Sequence, residues 1–317
     1  MTGPTGVAQA VSGDSWQAAP MERPLTVARE VLRETLANAA MAVAPVRDWR
    51  LKRPRTAKRF TGAEELLDTY AFHAVRGIED VAGPVDGREI IEYGPGDTLS
   101  AGLAMLAAGA KSYTALDRFV PDYCAPDAKT WYRGIRAGWG AGFPGRPWPE
   151  DLDPDRFPEG YADRVTILRD SVESVRGSER FDVVTSWQVG EHVLDIASFA
   201  QQTARHLRPD GVAVHRVDFG PHSWGGYDDP LLFLRFPAAL WRAMGSNRGI
   251  PNRVRHHEFM QAWADAGLDV ECRDMNHFRS SEIAFEKLGR RFRAMPRESL
   301  LVQDVVYVCR RPASARA

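Results

Sequence analysis

The residues best suited to chemistry begin with Glu92-Tyr93-Gly94-Pro95-Gly96-Asp97-Thr98. Two glycines one position apart let the backbone turn sharply and let a ligand approach where no Cβ intervenes. A hydrophobic run, EIIEY, leads into this turn, and an Ala/Leu-rich stretch, LSAGLAMLAAGA, leads away from it. A second β-rich run then ends at Asp117, 21 residues beyond Gly96. That is the distance needed to cross one helix and reach the end of the neighbouring strand. A carboxylate there accepts hydrogen bonds from both hydroxyls of a ribose. A dinucleotide site would continue to a third glycine and offer helix amides to a pyrophosphate. Here Asp97-Thr98-Leu99 fill that stretch, and Glu92 stands just before the glycines. Acids in these places oppose a pyrophosphate and favour a cationic or amino-bearing ligand that contains a nucleoside.

A second set of residues is suited to moving protons. Glu191-His192 puts a carboxylate beside an imidazole, a pair that serves either in acid–base work or as a structural hydrogen bond at a helix start. His215-Arg216-Val217-Asp218-Phe219-Gly220-Pro221-His222 is the other candidate. Strand alternation puts His215 and Val217 on one face and Arg216 and Asp218 on the other. His222 falls past the strand end, as a base or orienting group, or as an exposed loop histidine. His215, Asp218 and His222 also read as metal ligands, but the alternation splits the first two and the spacing matches no strong metal motif. No metal is expected. His256-His257 read as a helix start with a capping or surface role. Tyr70 and His73 share a helix face, over an acceptor pocket or in the core.

The elements that must position these residues follow from periodicity. Short β-branched runs alternate with helical stretches from residue 88 onward, the pattern of βαβ units and a parallel sheet. The runs predict strands at Glu89–Tyr93, Ser112–Leu116, Arg164–Leu168, Phe181–Thr185, Gly211–Val217, Leu268–Cys272 and Gln303–Cys309. Helices are expected over Pro24–Val43, from a capping box at Thr61-Gly62-Ala63-Glu64 through Val75, over Ile196–Leu207 and around Ile283–Phe292. Residues 119–163 and 219–255 are too long for simple crossovers and are rich in aromatics. They read as lids or binding loops, or as satellite cores.

The chain has 317 residues, a formal net charge of −1 and 44% hydrophobic residues. These values suit a globular protein and exclude a wholly disordered or collagen-like chain. Near-neutral charge argues against a protein built mainly to coat nucleic acid or anionic membrane. The three cysteines, Cys124, Cys272 and Cys309, form no CxxC pair, so no disulfide framework is expected and a reducing, cytoplasmic setting is the default. No convincing signal peptide and no apolar run of membrane-spanning length is present. The stretch 47–59 is strongly basic and reads as a solvated linker or an anion-binding arm.

Taken in order, the motifs resemble the class I S-adenosylmethionine (SAM)-dependent methyltransferases over about residues 85–310. Glu92-Tyr93-Gly94-Pro95-Gly96 is similar to that family's first motif, and Asp117, with Arg118 beside it, to its ribose acid. Asp170-Ser171 resembles the adenine-contacting position. Phe181–Ser186, continuing through Trp187-Gln188 to Val189-Gly190-Glu191-His192-Val193, resembles the fourth-strand motif. Leu207-Arg208-Pro209-Asp210-Gly211 is similar to the turn before the fifth strand, with Asp210 where glycine is commoner. SAM carries a sulfonium and an α-amino group, which suits the acids noted above.

The resemblance implies an α/β fold: a Rossmann-like, doubly wound, seven-stranded, mostly parallel sheet with an antiparallel last strand, plus an N-terminal helical extension. The expected organisation is a flexible tail at 1–20, a helical extension or lid at 21–84, and a SAM-binding domain at 85–317 with insertions at 119–163 and 219–255. The expected cofactor residues are Glu92, Gly94, Pro95, Gly96, Asp117, Arg118, Asp170, Ser171, Ser186, Trp187 and Gln188. The implied activity is methyl transfer to a small-molecule acceptor, at a hydroxyl of a natural product or sugar, with His222, His192 and Glu191 as candidate catalytic residues. The alternatives are an RNA methyltransferase using the 47–59 arm, and a non-methylating cyclase or accessory protein on the same fold. A homodimer is compatible with this reading, and no membrane partner is expected.

Overall fold

The computed structural model describes residues 24–51, 67–172, 181–222, 229–247, 249–279, 281 and 283–312. The expected tail at 1–20, the capping box at 61–64 and most of the basic stretch 47–59 lie outside them.

Seven strands form one sheet: β1 Glu89–Tyr93, β2 Ser112–Leu116, β3 Val165–Leu168, β4 Phe181–Trp187, β5 Leu207–Asp218, β6 Asp269–His277 and β7 Val302–Arg310. Their spatial order is β3-β2-β1-β4-β5-β7-β6. The pairs from β3 to β5 are parallel, and β7 runs antiparallel to both β5 and β6. The chain winds outward from β1 through β2 to β3, then returns to place β4 on the other side of β1. That reversal opens a crevice beyond the carboxyl ends of β1 and β4, where ligands bind in sheets of this type.

Each face of the sheet buries its own core. Ile90, Tyr113, Val183 and Val214 face a cluster that includes Leu103, Trp131, Tyr132, Trp139 and Phe157. Ile91, Tyr93, Val184 and Val217 face Phe199, Trp263 and Tyr307. Alternating side chains along each strand produce this split. The helices α3 (His73–Ala82), α4 (Ser100–Ala107) and α5 (Pro126–Gly142) cover the first face. They follow α1 (Pro24–Ala42) and α2 (Ala44–Leu51) in the chain, while α6 (Ile196–His206) and α8 (His256–Asp265) pack on the second face. Every residue of α4 is buried, and it approaches β2 closely because Gly102 lacks a side chain: a Cβ there would sit 2.3 Å from the Tyr113 ring.

The described parts of both long insertions are packed rather than extended. The aromatics of 119–163 that lie on α5 join the first core. Phe233, Leu234, Trp241 and Met244 from the second insertion pack with Phe292 and Leu300 in a third cluster. There α7 (Ala238–Gly245) meets α1 through Asn38, whose Nδ2 donates to Ala243 O at 2.9 Å and whose Oδ1 accepts from Asn247 N at 2.8 Å.

Some elements depart from the periodicity. The helix expected through Val75 is described from Leu67 and contains a π-helical stretch, Asp68–Phe72, before α3. Strand β5 starts at Leu207, ahead of Gly211, because Leu207 already pairs with Phe181 across an irregularity in β4. The helix expected around Ile283–Phe292 is only a 3-10 turn at Phe285–Lys287 and a short α9 at Arg290–Arg293. Extended backbone at Gly289 separates the two.

Candidate active site

The glycine turn sits at the carboxyl end of β1. Gly94 and Gly96 both have positive φ, +64° and +79°, a conformation that costs side-chain-bearing residues about 1–2 kcal/mol. A Cβ on Gly94 would meet Val189 Cγ2 at 2.6 Å, whereas no atom lies within 4 Å of the Cβ direction at Gly96. The turn is therefore closed on its β4 side and open outward, as a cradle for a ligand needs. Gly94 N donates to Leu116 O at 2.8 Å, tying the turn to the end of β2, and Tyr123 Oη donates to Gly96 O at 3.3 Å.

Asp117 follows β2 directly. Its Oδ1 accepts from Phe119 N at 2.8 Å. Burial pushes its carboxyl up to about 6, opposed by the amides of Phe119 and Gly96 and by the Arg118 charge. Arg118 itself is exposed and lies over the Phe119 ring at 4.5 Å. Asp170 stands just past β3, its Oδ1 accepting from Ser171 N at 2.8 Å. An open glycine turn with a spaced acid beside it fits the nucleoside and amino-acid portions of SAM. Glu92 does not lie on the rim of that cradle. It is buried beneath the turn, with Tyr113 Oη donating to its Oε2 at 2.5 Å, and burial raises its pKa to about 7.

The end of β4 divides its three expected cofactor residues. Trp187 faces the N-terminal helices: its ring meets His73 edge-on at 4.6 Å and fills the space left by Gly77. Its Nε1 is buried without a hydrogen-bond partner among the described residues. Gln188 is exposed, with φ +57°, and its amide donates to Arg216 O at 2.9 Å, joining the ends of β4 and β5. Ser186 corrects an expectation. It is fully buried, stands opposite His215 in the β4–β5 register, and its hydroxyl lies 2.7 Å from His215 Nδ1. Strand parity sends this side chain toward His215 and the second core, so its hydroxyl is not offered to the crevice. His215 stacks on Trp263 at 5.2 Å, and burial lowers its pKa to about 3. Its reading as a metal ligand beside Asp218 and His222 does not survive this geometry.

Glu191, His192 and His222 come together beyond the ends of β4 and β5. Glu191 and His192 lie on a 3-10 turn, Gly190–His192, after β4. His222 adopts φ +53° after β5. Its Nε2 lies 3.4 Å from Glu191 Oε1 and 3.6 Å from Asp218 Oδ2, and its ring is perpendicular to that of His192 at 5.0 Å. Glu191 is only 2% exposed, and burial, with the Asp218 charge adding, pushes its carboxyl well above the usual range. Burial and the neighbouring His222 hold His192 down at about 4.

Two supporting residues were not among the expected site residues. Asn252 straps the turn: its Nδ2 donates to Gly190 O and Val193 O, both at 2.9 Å, and its amide to Glu191 O at 2.6 Å. Arg255 is fully buried and braces the chain after β5, donating from Nη1 to Phe219 O at 2.8 Å and from Nη2 to Leu300 O and Val302 O. The adjacent histidines, expected to cap the helix or lie on the surface, are half-buried with internal partners instead: His256 Nδ1 meets Tyr307 Oη at 2.8 Å, and the His257 amide donates to Ser299 Oγ at 2.9 Å.

A doubly wound sheet with an open glycine turn and a spaced acid defines a nucleoside-cofactor protein of the Rossmann-like class. A family model described as a methyltransferase domain matches residues 64–273, and the chain belongs to that family. It is a SAM-dependent methyltransferase. No curated protein matches it. Among solved structures it is similar to magnesium protoporphyrin IX methyltransferase from Synechocystis PCC 6803 with bound SAH, at 12% identity over 88% of this chain and 99% of that one, TM-score 0.44. It is also similar to the YcgJ protein of Bacillus subtilis, at 12% identity over 76% and 99%, TM-score 0.42. A SAM-dependent methyltransferase from Mesorhizobium loti matches at 15% identity over 79% and 99%, TM-score 0.40.

Proposed function

We propose that this methyltransferase acts on a hydroxyl of a small molecule, such as a natural product or sugar, bound beyond the ends of β4 and β5. The observation that carries this reading is the cluster of Glu191, His192 and His222, a buried carboxylate with two imidazoles, on the β4–β5 side of the glycine turn. SAM supplies a methyl group already activated on a sulfonium, and its sulfur leaves as a neutral thioether. The protein's work is then to align the acceptor, exclude water and take one proton. Asp117 would hold the ribose hydroxyls, Gly94 to Gly96 would make room for the amino-acid portion, and Asp170-Ser171 would border the adenine. The acceptor hydroxyl gives up its proton beside the three-residue cluster, whose outermost member is His222. Asn252 and Arg255 hold the two loops of that cluster in register.

The test is transfer of labelled methyl from SAM to a panel of phenols, sugars and total RNA. The reading expects label in a small organic product. Label found only in RNA would overturn it in favour of an RNA methyltransferase, and SAM binding without any transfer would favour an accessory protein.

A further inference from the structure

We propose that Glu191, His192 and His222 bind a divalent transition-metal cation. Among the described residues, both oxygens of Glu191, His192 Nδ1 and His222 Nε2 are buried and make no well-formed hydrogen bond, although the backbone amides of Glu191 and Asp218 approach the Glu191 carboxyl. A carboxylate only 2% exposed is costly unless it is paired, gains a proton or coordinates a metal. Donor atoms from the three residues lie within 4.8 Å of one another. Two donors at about 2.0–2.2 Å from one tetrahedral ion are about 3.4 Å apart, and Glu191 Oε1 and His222 Nε2 are separated by 3.4 Å. Small side-chain rotations close the remaining gap to His192.

A plain ion pair explains less. The 3.4 Å contact makes no well-formed hydrogen bond, and neither it nor the 3.6 Å approach of Asp218 Oδ2 to the same His222 nitrogen engages His192 Nδ1. One carboxylate oxygen with two imidazole nitrogens suits zinc or manganese better than magnesium or calcium, which prefer all-oxygen sets. Three protein ligands leave coordination positions open. An acceptor hydroxyl that reaches one of them loses its proton more readily, and His222 then serves as a ligand rather than as a free base. The proton passes to solvent. The placing of this cation beside the acceptor rests on the function proposed above; its binding does not.

The experiment uses the full chain, stripped with EDTA and desalted, titrated calorimetrically with ZnCl2, MnCl2 and MgCl2 in separate arms. One zinc or manganese ion per chain is expected, with magnesium binding much more weakly. Glu191→Gln, His192→Gln and His222→Ala should each weaken binding by more than ~100-fold, beyond the ~10–100-fold typical of outer partners. Circular dichroism and SAH titration establish that each variant is folded. No bound ion in the zinc and manganese arms, or affinities unchanged in all three variants, would overturn the proposal. Full methyl transfer by the stripped enzyme would overturn the chemical role given to the cation. SAH binding by the same stripped protein reports separately on the methyltransferase reading, so a chain that binds SAH and no cation sinks only this inference.

Discussion

At the residue scale, the acceptor-side cluster and the buried histidines make separable predictions. His222→Ala should lower turnover by about 10²-fold or more, the range expected for a group that acts on the acceptor proton, with SAH affinity unchanged. Wild-type turnover in that variant would remove His222 from the chemistry. His215 predicts something different. Its folded pKa of about 3 lies below its ordinary value of 6.5, so the unfolded chain takes up a proton that the folded chain refuses. Stability from this group is present above pH 6.5 and drains away as pH falls toward about 3. Urea unfolding across that window should show about one proton less taken up on unfolding in His215→Gln than in the wild type. An identical pH slope would mean that the imidazole is not held neutral in the core.

At the element scale, the loops after β1, β4 and β5 decide what the strands can present. Gly94→Ala would place a methyl group against Val189 on a backbone with positive φ. We expect a loss of about 1–3 kcal/mol in stability and weaker SAH binding, read by urea unfolding and calorimetry. Asn252→Ala should cost about 1–3 kcal/mol, since it leaves the carbonyls of Gly190 and Val193 without their donor, and should slow methyl transfer more than it changes SAH affinity. The glycine turn and Asp117 were legible in the sequence because each is local to one strand end and their spacing spans a single helix. The meeting of Glu191 with His222 was not, since it depends on β4–β5 pairing and on the left-handed backbone at His222. Ser186 was misread as a rim residue because its exposure is set by strand parity against His215, not by the motif around it. Asn252 and Arg255 act through backbone contacts across the fold, which leave no local pattern.

At the scale of the whole molecule, the strand runs already implied a doubly wound sheet, while the third core, built from the second insertion and the segment before β7, was only one of two readings of an aromatic loop. Asn38 fastens α1 to that third core from far upstream. Asn38→Ala should loosen α1, seen as faster amide exchange across residues 24–42, while leaving SAH affinity intact; loss of SAH binding would mean that α1 contributes to the cofactor cradle. The charge balance of −1 also gains meaning at this scale, because Asp97, Asp117 and Asp170 gather at one end of the sheet, where a cationic cofactor is to lie. The most direct measurement is a calorimetric titration of SAH into the wild-type chain and into Asp117→Ala. The account predicts saturable one-site binding to the wild type, lost or weakened by at least about tenfold in the variant, as removal of a charged hydrogen-bonding partner implies. A folded wild-type chain that does not bind SAH, or a variant that binds it equally well, would contradict the account.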